Sequence, residues 1–295
     1  MGADLHCHTK LSNSSMGIDD LLVLASKRGV DTLAITDRDC QAGNVRAAII
    51  GKRKDINVLP GVEISCTDSK RNKTLLILCY LSDSPDRLEG LCRRNIIARK
   101  KAAQFMILKI AQRYPITPDL VVKCATGSTA VFEAHIMHSL MECGLTDRIY
   151  GDLYNELFNP ESPGNVIVQP KYSSPAEVID AIHEAGGIAI LARPGDDIEL
   201  VEELVKAGLD GIEVWHPSHT PEQVEALEKA ASKLKILRIG GSDFRGMYSQ
   251  NSVSVGDITT PDSDLKALMS YKSKMKKKAA AAAKQEEAAK QEENK

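Results

Sequence analysis

Aromatic residues are scarce, at 4% of the chain with a single tryptophan, Trp215, which argues against a platform for stacking single-stranded nucleic acid. Charge of one sign is lacking too. The formal balance of −2 gives no whole-chain attraction to a polyanion, so double-stranded nucleic acid is not an expected partner. The seven cysteines (Cys7, Cys40, Cys66, Cys79, Cys92, Cys124 and Cys143) include no pair with the C-x-x-C spacing of a zinc clip, and their odd number does not suit a disulfide framework. No apolar run approaches the ~18 residues of a membrane helix, and the N-terminus lacks the basic-then-apolar build of a signal peptide. A reduced, cytoplasmic setting with no membrane partner is the expectation. Glycine-rich phosphate loops, dinucleotide fingerprints and a Ser-His-Asp order are missing as well.

What is present is an ordinary globular balance, 43% apolar and 26% charged over 295 residues, enough for one large domain or a domain with an insertion. Short apolar runs at Ala3–His8, Thr32–Thr36, Val58–Ser65, Thr74–Leu81, Ile188–Ala192, Gly211–Trp215 and Ile236–Gly240 predict strands. Helical patterns fall between most of them, at Ile18–Gly29, Cys40–Arg53, Ile198–Ala207 and from Thr220-Pro221 to Leu234. Ser174-Pro175-Ala176-Glu177 is a helix start with N-cap, first-turn proline and capping glutamate. Such alternation predicts parallel βα units. It stops between about Pro85 and Val168, where Arg87–Arg113 and Phe132–Cys143 read as helices. The expected division is a discontinuous α/β unit at 1–84 and 169–271, a helical insertion at 85–168, and a Lys/Ala/Glu-rich tail at 272–295. With no apolar stripe, the tail reads as a solvated extension or as a partner-binding arm.

The chemistry concentrates at strand ends. In Asp4-Leu5-His6-Cys7-His8-Thr9, residues two apart on a strand share a face, so His6 and His8 point together and Cys7 points away. Two adjacent imidazoles can serve one metal ion; alone, an H-x-H is more often two surface histidines. Three later segments add acids: Thr36-Asp37-Arg38-Asp39, Gly61-Val62-Glu63-Ile64-Ser65 and Gly241-Ser242-Asp243-Phe244-Arg245. Glu63 is the one acid of an apolar strand and is costly to bury unless paired or metal-bound.

This order of motifs resembles the PHP (polymerase and histidinol phosphatase) family over roughly Ala3 to Gly246. The insertion and the run Gly211-Ile212-Glu213-Val214 with His216-Pro217-Ser218-His219 resemble its bacterial nucleoside-monophosphate and oligonucleotide phosphoesterase members. The resemblance implies an α/β fold, a distorted (β/α)7 PHP barrel with a small helical insertion, and a cluster of divalent ions, usually manganese, iron or zinc. Carried over by motif, one ion is held firmly by His6, His8, Glu63 and Asp243. A second would share Glu63 and add His135, but Leu76 stands at its other histidine position, so it would be weaker. A third site lacks its ligands: Asn13, Arg38 and Arg245 occupy their places, and Arg193 replaces a further family histidine in Ala192-Arg193-Pro194-Gly195.

Arginine is always protonated and is no ordinary ligand, yet its planar fork suits phosphate oxygens. Two readings stay open: Arg38, Arg193 and Arg245 clamp a substrate phosphate, or they neutralise Asp37, Asp39 and Asp196. His219 reads as an acid for the leaving group or as a surface loop residue; His138 and His183 read as packing residues. The function expected is a metal-dependent phosphoric-ester hydrolase acting on a small phosphorylated molecule, a nucleotide or sugar phosphate. The alternatives are a catalytically weak or inactive phosphate-ligand-binding protein on the same fold, and a metal hydrolase of another bond.

Overall fold

The computed structural model describes residues 2–275, and most of the expected tail, 276–295, lies outside them. The sequence folds as β1 (Gly2–Cys7), α1 (Ile18–Lys27), β2 (Val30–Ile35), α2 (Asn44–Lys52), β3 (Asn57–Asp68), β4 (Lys73–Tyr80) and α3 (Glu89–Ala111). It continues with α4 (Pro118–Cys124), α5 (Glu133–Glu142), α6 (Asp152–Phe158), α7 (Pro175–Glu184), β5 (Ile188–Leu191), α8 (Ile198–Lys206), β6 (Gly211–Trp215), α9 (Pro221–Leu234) and β7 (Leu237–Gly240). A last helix, α10, covers 262–275. The expected tail boundary at 272 therefore falls inside a helix. None of the described helices is long and apolar enough to cross a membrane.

The seven strands form one sheet in sequential order. It curls until its two ends meet: Cys7 bridges Phe244, just past β7, and the His8 amide donates to the Phe244 carbonyl at 3.0 Å. Leu5, Leu59, Leu78, Tyr80, Ile190 and Ile239 share one buried cluster. Side chains drawn from both ends of a sheet meet only if the sheet encloses them. A second layer packs outside, with Leu21, Leu22 and Ala47 of α1 and α2 against β1 and β2. On the other side Val178, Ile182, Leu200 and Leu227 of α7, α8 and α9 cover β3 to β6.

Strand direction departs from the expected parallel pattern at one place. β4 runs antiparallel to both β3 and β5, while the other neighbours are parallel. The cause is the short link after Asp68, whose carboxylate accepts from the Lys70 and Arg71 amides and folds the chain straight back. A parallel return needs a crossover of a dozen residues or more. The capping signals act as read: the Ser174 hydroxyl accepts from the Glu177 amide, and the Glu177 carboxylate accepts from the Ser174 amide.

The region between β4 and α7 is helical, with its own core of Met106, Ile107, Ile110, Ile136, Leu140, Leu157 and Phe158. α4 and α6 are short, seven residues each, and leave too little periodicity to be read from sequence. α3 spans 23 residues, about 34 Å at 1.5 Å per residue. Its first turn packs Leu91 and Cys92 into the sheet's outer core, while its second half builds the helical core.

At the N-terminal ends of β5 and β6, Asp210 gathers three donors: the Ala189 amide, His183 Nε2 and the Tyr271 hydroxyl, each at 2.8 Å. The hydrogen bond to Asp210 raises the His183 pKa above its ordinary value. A raised folded-state pKa means the protonated pair stabilises the fold below about pH 6, and that contribution is lost as pH rises through the folded value. Asp210→Ala is expected to lower stability by about 2–3 kcal/mol by stranding buried donors, and to flatten the pH dependence between 6 and 8. Chemical denaturation at several pH values checks both.

Candidate metal centre

Every expected metal ligand but one converges at the mouth formed by the C-terminal ends of the parallel strands. His6 is the penultimate residue of β1, and Cys7, which closes the strand, turns outward into the α1 layer, as the alternation of faces along a strand requires. His6 and His8 lie with ring centroids 5.1 Å apart and are fully buried. His6 Nε2 stands 3.3 Å from Glu63 Oε1 and 3.5 Å from Asp243 Oδ1. His8 Nε2 stands 3.1 Å from Asp243 Oδ1 and 3.9 Å from Glu63 Oε2. Gly241 allows this approach, since a Cβ there would fall 2.4 Å from the His6 backbone nitrogen.

Whether these atoms suit an ion can be judged from their partners. His6 Nε2, His8 Nε2 and Glu63 Oε1 are buried and make no hydrogen bond, although such atoms are costly to leave unsatisfied. An ion bound tetrahedrally at about 2.1 Å would separate its ligand atoms by about 3.4 Å, close to the spacings seen. His6, His8 and Asp243 together meet the geometry of a three-ligand group. The donor set fits one divalent cation.

Glu213, on β6, completes the surroundings. Its Oε1 lies 2.8 Å from His6 Nδ1, and its Oε2 accepts from the Arg193 amide at 3.1 Å. A carboxylate can only accept from the ring, so the proton sits on Nδ1 and the Nε2 lone pair faces the cluster. Burial works against protonating His6, but the charges of Glu213 and Asp243 overcome it and lift its pKa to about 10 without an ion. His8, buried and less favourably surrounded, is pushed down to about 4. Burial also opposes ionisation of Glu63 and Asp243, yet the charges of Arg38 and Arg245 hold both carboxyls well below the usual range.

The arginines pair differently from the neutralising reading. Arg38 Nε donates to Glu63 Oε2 at 2.5 Å. Arg245 grips Asp243 with both arms, Nε to Oδ1 at 3.0 Å and Nη2 to Oδ2 at 2.8 Å, and Arg193 Nη1 is 3.5 Å from Asp243 Oδ2. Asp37 is held instead by the Thr9 amide and the Thr9 and Ser12 hydroxyls. Asp39 is held by the Ser65 amide and hydroxyl, by Asn95 and by Arg99. Asp39, Arg193 and Asp243 have φ of 53°, 48° and 48°. This left-handed backbone costs of order 1 kcal/mol or more per residue, and it occurs here just past three strand ends.

Two expected residues are engaged otherwise. His135 Nδ1 accepts from the Phe132 amide, and its ring packs between Phe132 and Tyr248; burial pushes its pKa down to about 4. Its position gives a second ion no visible support. Leu76 belongs to the enclosed core, and Asn13 is buried beside the Ser12 hydroxyl. His219 braces two loops, with Nδ1 at 2.8 Å from the Val214 carbonyl and Nε2 accepting from the Gly195 amide. Both nitrogens are thus occupied by backbone rather than presented as an acid.

Glu213 and His216 carry no expected role beyond their place in the resembling run, and Arg99 has none. Glu213 had a signal: it is the lone acid of the apolar strand Gly211–Trp215, as Glu63 is of its own. His216 Nδ1 accepts from the Ser218 amide, which leaves Nε2–H to donate to Asp243 Oδ2 at 3.3 Å. Arg99 sits among several basic residues of α3, with nothing local to mark it.

A curled α/β sheet with paired histidines and buried acids at its mouth is the architecture of a metal-dependent phosphoesterase. Residues 4–119 of the chain match the PHP domain. The chain is 29% identical to the phosphoribosyl 1,2-cyclic phosphate 1,2-diphosphodiesterase of Eggerthella lenta, over 84% of this chain and 95% of that one. It is 27% identical to the 3',5'-nucleoside bisphosphate phosphatase of Chromobacterium violaceum, over 82% and 86%. A solved structure from Bifidobacterium adolescentis, assigned as a metal-dependent phosphoesterase, superposes with a TM-score of 0.83 at 28% identity, covering 91% of this chain and 96% of the other.

Glu213→Gln keeps the shape of the side chain and removes its charge. Divalent-ion affinity is expected to fall about 10- to 100-fold, measured by titration calorimetry. An affinity within twofold of the parent protein would rule out the orienting role given to Glu213.

Proposed function

We propose that the chain is an enzyme that hydrolyses a small phosphorylated molecule, a nucleotide or a sugar phosphate, with one divalent ion held by His6, His8, Glu63 and Asp243. The observation that carries this reading is the convergence of unpaired, buried imidazole nitrogens and a carboxylate oxygen on one point. When bound, the ion supplies Lewis acidity and lowers the pKa of a water molecule. Its nitrogen and oxygen donors suit manganese, iron or zinc without choosing among them.

The chain's own residues do the rest. Glu213 holds His6 in the tautomer a ligand needs. Arg245 and Arg193 flank a small polar pocket that also includes His216, Ser218 and Asn251. Their guanidinium groups can meet the non-bridging oxygens of a phosphoryl group there and stabilise the charge that grows on them. Arg38 does the same from the Glu63 side. Each guanidinium now rests on a carboxylate, so a substrate phosphate must compete with, or share, those pairs. His216, fixed between Ser218 and Asp243, keeps Asp243 turned toward the imidazoles. The relatives' names support the substrate class, since both act on phosphorylated small molecules.

Carboxylates tied to arginines would equally suit a protein that binds a phosphorylated ligand and turns it over little. Phosphate release from aryl phosphates, nucleotides and a short oligonucleotide separates the two readings. Activity is expected to require a divalent ion and to fall at least 100-fold in His8→Ala and Asp243→Asn. Ligand-dependent thermal stabilisation with no product from any of these compounds would select the binding protein.

A further inference from the structure

Two neighbouring helices, α2 and α3, break the even charge balance of the chain. α3 carries six basic residues and one acid, and α2 carries two basic residues and no acid, against −2 for the whole sequence. Among the described residues Arg99 is the one α3 cation in a salt bridge; Arg93, Arg94, Lys100 and Lys101 are exposed. The same two helices show large apolar side chains to water. Val45, Ile49, Ile97, Phe105 and Leu108 are 49% to 75% exposed, and they are half of the exposed large apolar side chains among the described residues. At about 100° per residue, Ile97, Lys101, Gln104 and Leu108 fall in one strip along α3, with Arg93 and Lys100 on one flank and Arg94 and Phe105 on the other. The reversal of β4 leaves no crossover helix between α2 and α3. The gap over β3 and β4 is a cavity of about 670 Å³, with Val45 and Ala48 on one bank and Ile96 on the other, so the apolar exposure of the two helices joins into one face.

We propose that this α2–α3 face binds the surface of an anionic lipid bilayer. Attachment of that kind needs the combination seen here, apolar side chains to enter the boundary of the acyl chains and Lys or Arg to meet the headgroups. The want of a long apolar run rules out a span, not a contact at the surface. A second copy of the chain fits poorly, because a two-fold pairing through this face would set the basic stretch 93–101 against itself. Nucleic acid is met by cations and stacking rings and gives no reason for Val45, Ile49, Ile97 and Leu108 to face water. The proposal does not depend on the catalytic reading, since none of these residues belongs to the ion-binding group.

The test is co-sedimentation of the full chain with vesicles of phosphatidylcholine alone and of phosphatidylcholine mixed equally with phosphatidylglycerol. Partition into the anionic vesicles is expected to be at least tenfold the stronger at low salt, and to fall as salt is raised. Ile97→Asp, and Lys100→Glu together with Lys101→Glu, are each expected to weaken it at least tenfold while the thermal midpoint stays close to that of the parent. In Ile97→Trp, the added emission is expected to shift to the blue on anionic vesicles. Equal partition into both kinds of vesicle, or into neither, overturns the proposal. So does a folded Ile97→Asp protein that binds as the parent does, since charge alone would serve an RNA or an acidic protein equally. If Ile97→Asp does not fold, the lysine variant and the emission of Ile97→Trp decide. A further variant, Lys276→Glu with Lys277→Glu and Lys278→Glu, separates the other basic run of the sequence: binding lost there and kept in the α3 variants also overturns the proposal.

Discussion

The site depends on one electrostatic constraint, the confinement of Glu63, Glu213 and Asp243 around two imidazoles with almost no water. Carboxylates so close together and so deeply placed repel one another and lose hydration, and they stay ionised only if positive charge is brought to them. Arg38 and Arg245 supply it within the protein, and a protonated His6 adds to it only while no ion is bound. A divalent ion adds to that balance without having to provide all of it. The resemblance implies a cluster of up to three ions, whereas here guanidinium groups bond to the carboxylates of the proposed single-ion site. Such a charge keeps its place but cannot activate a water molecule, so in the proposed reading this part of the site binds and orients.

Much of this arrangement was legible in the residues. The two-residue period of a strand put His6 and His8 on one side, and an acid stranded in an apolar run marked Glu63. The same rule, applied to Glu213, would have found it too. Nothing short of the fold could show that Arg38 turns to Glu63 rather than to its neighbours Asp37 and Asp39, because all three are within reach along the chain. The reversal of β4 was hidden for a related reason: alternating strands and helices imply direction only where a crossover separates them, and the link after Asp68 has room for none. Arg99 stayed out of view because one helix face in a basic stretch resembles another until something packs on it.

The left-handed backbone at Asp39, Arg193 and Asp243 fits the same picture. Each follows a strand end, where the chain must turn sharply to bring a charged side chain over the mouth instead of letting it follow the strand outward. The conformation is held by what those side chains bind: Arg99 and Asn95 for Asp39, Arg245 and His216 for Asp243. Local strain and charge pairing thus sustain each other.

The long helix α3 has a mechanical consequence. It is a beam fastened at one end to the sheet's outer layer and at the other to the helical core, with Arg99 tied down near its middle. A beam with three supports does not hinge, so the helical layer cannot swing over the mouth as a detached flap.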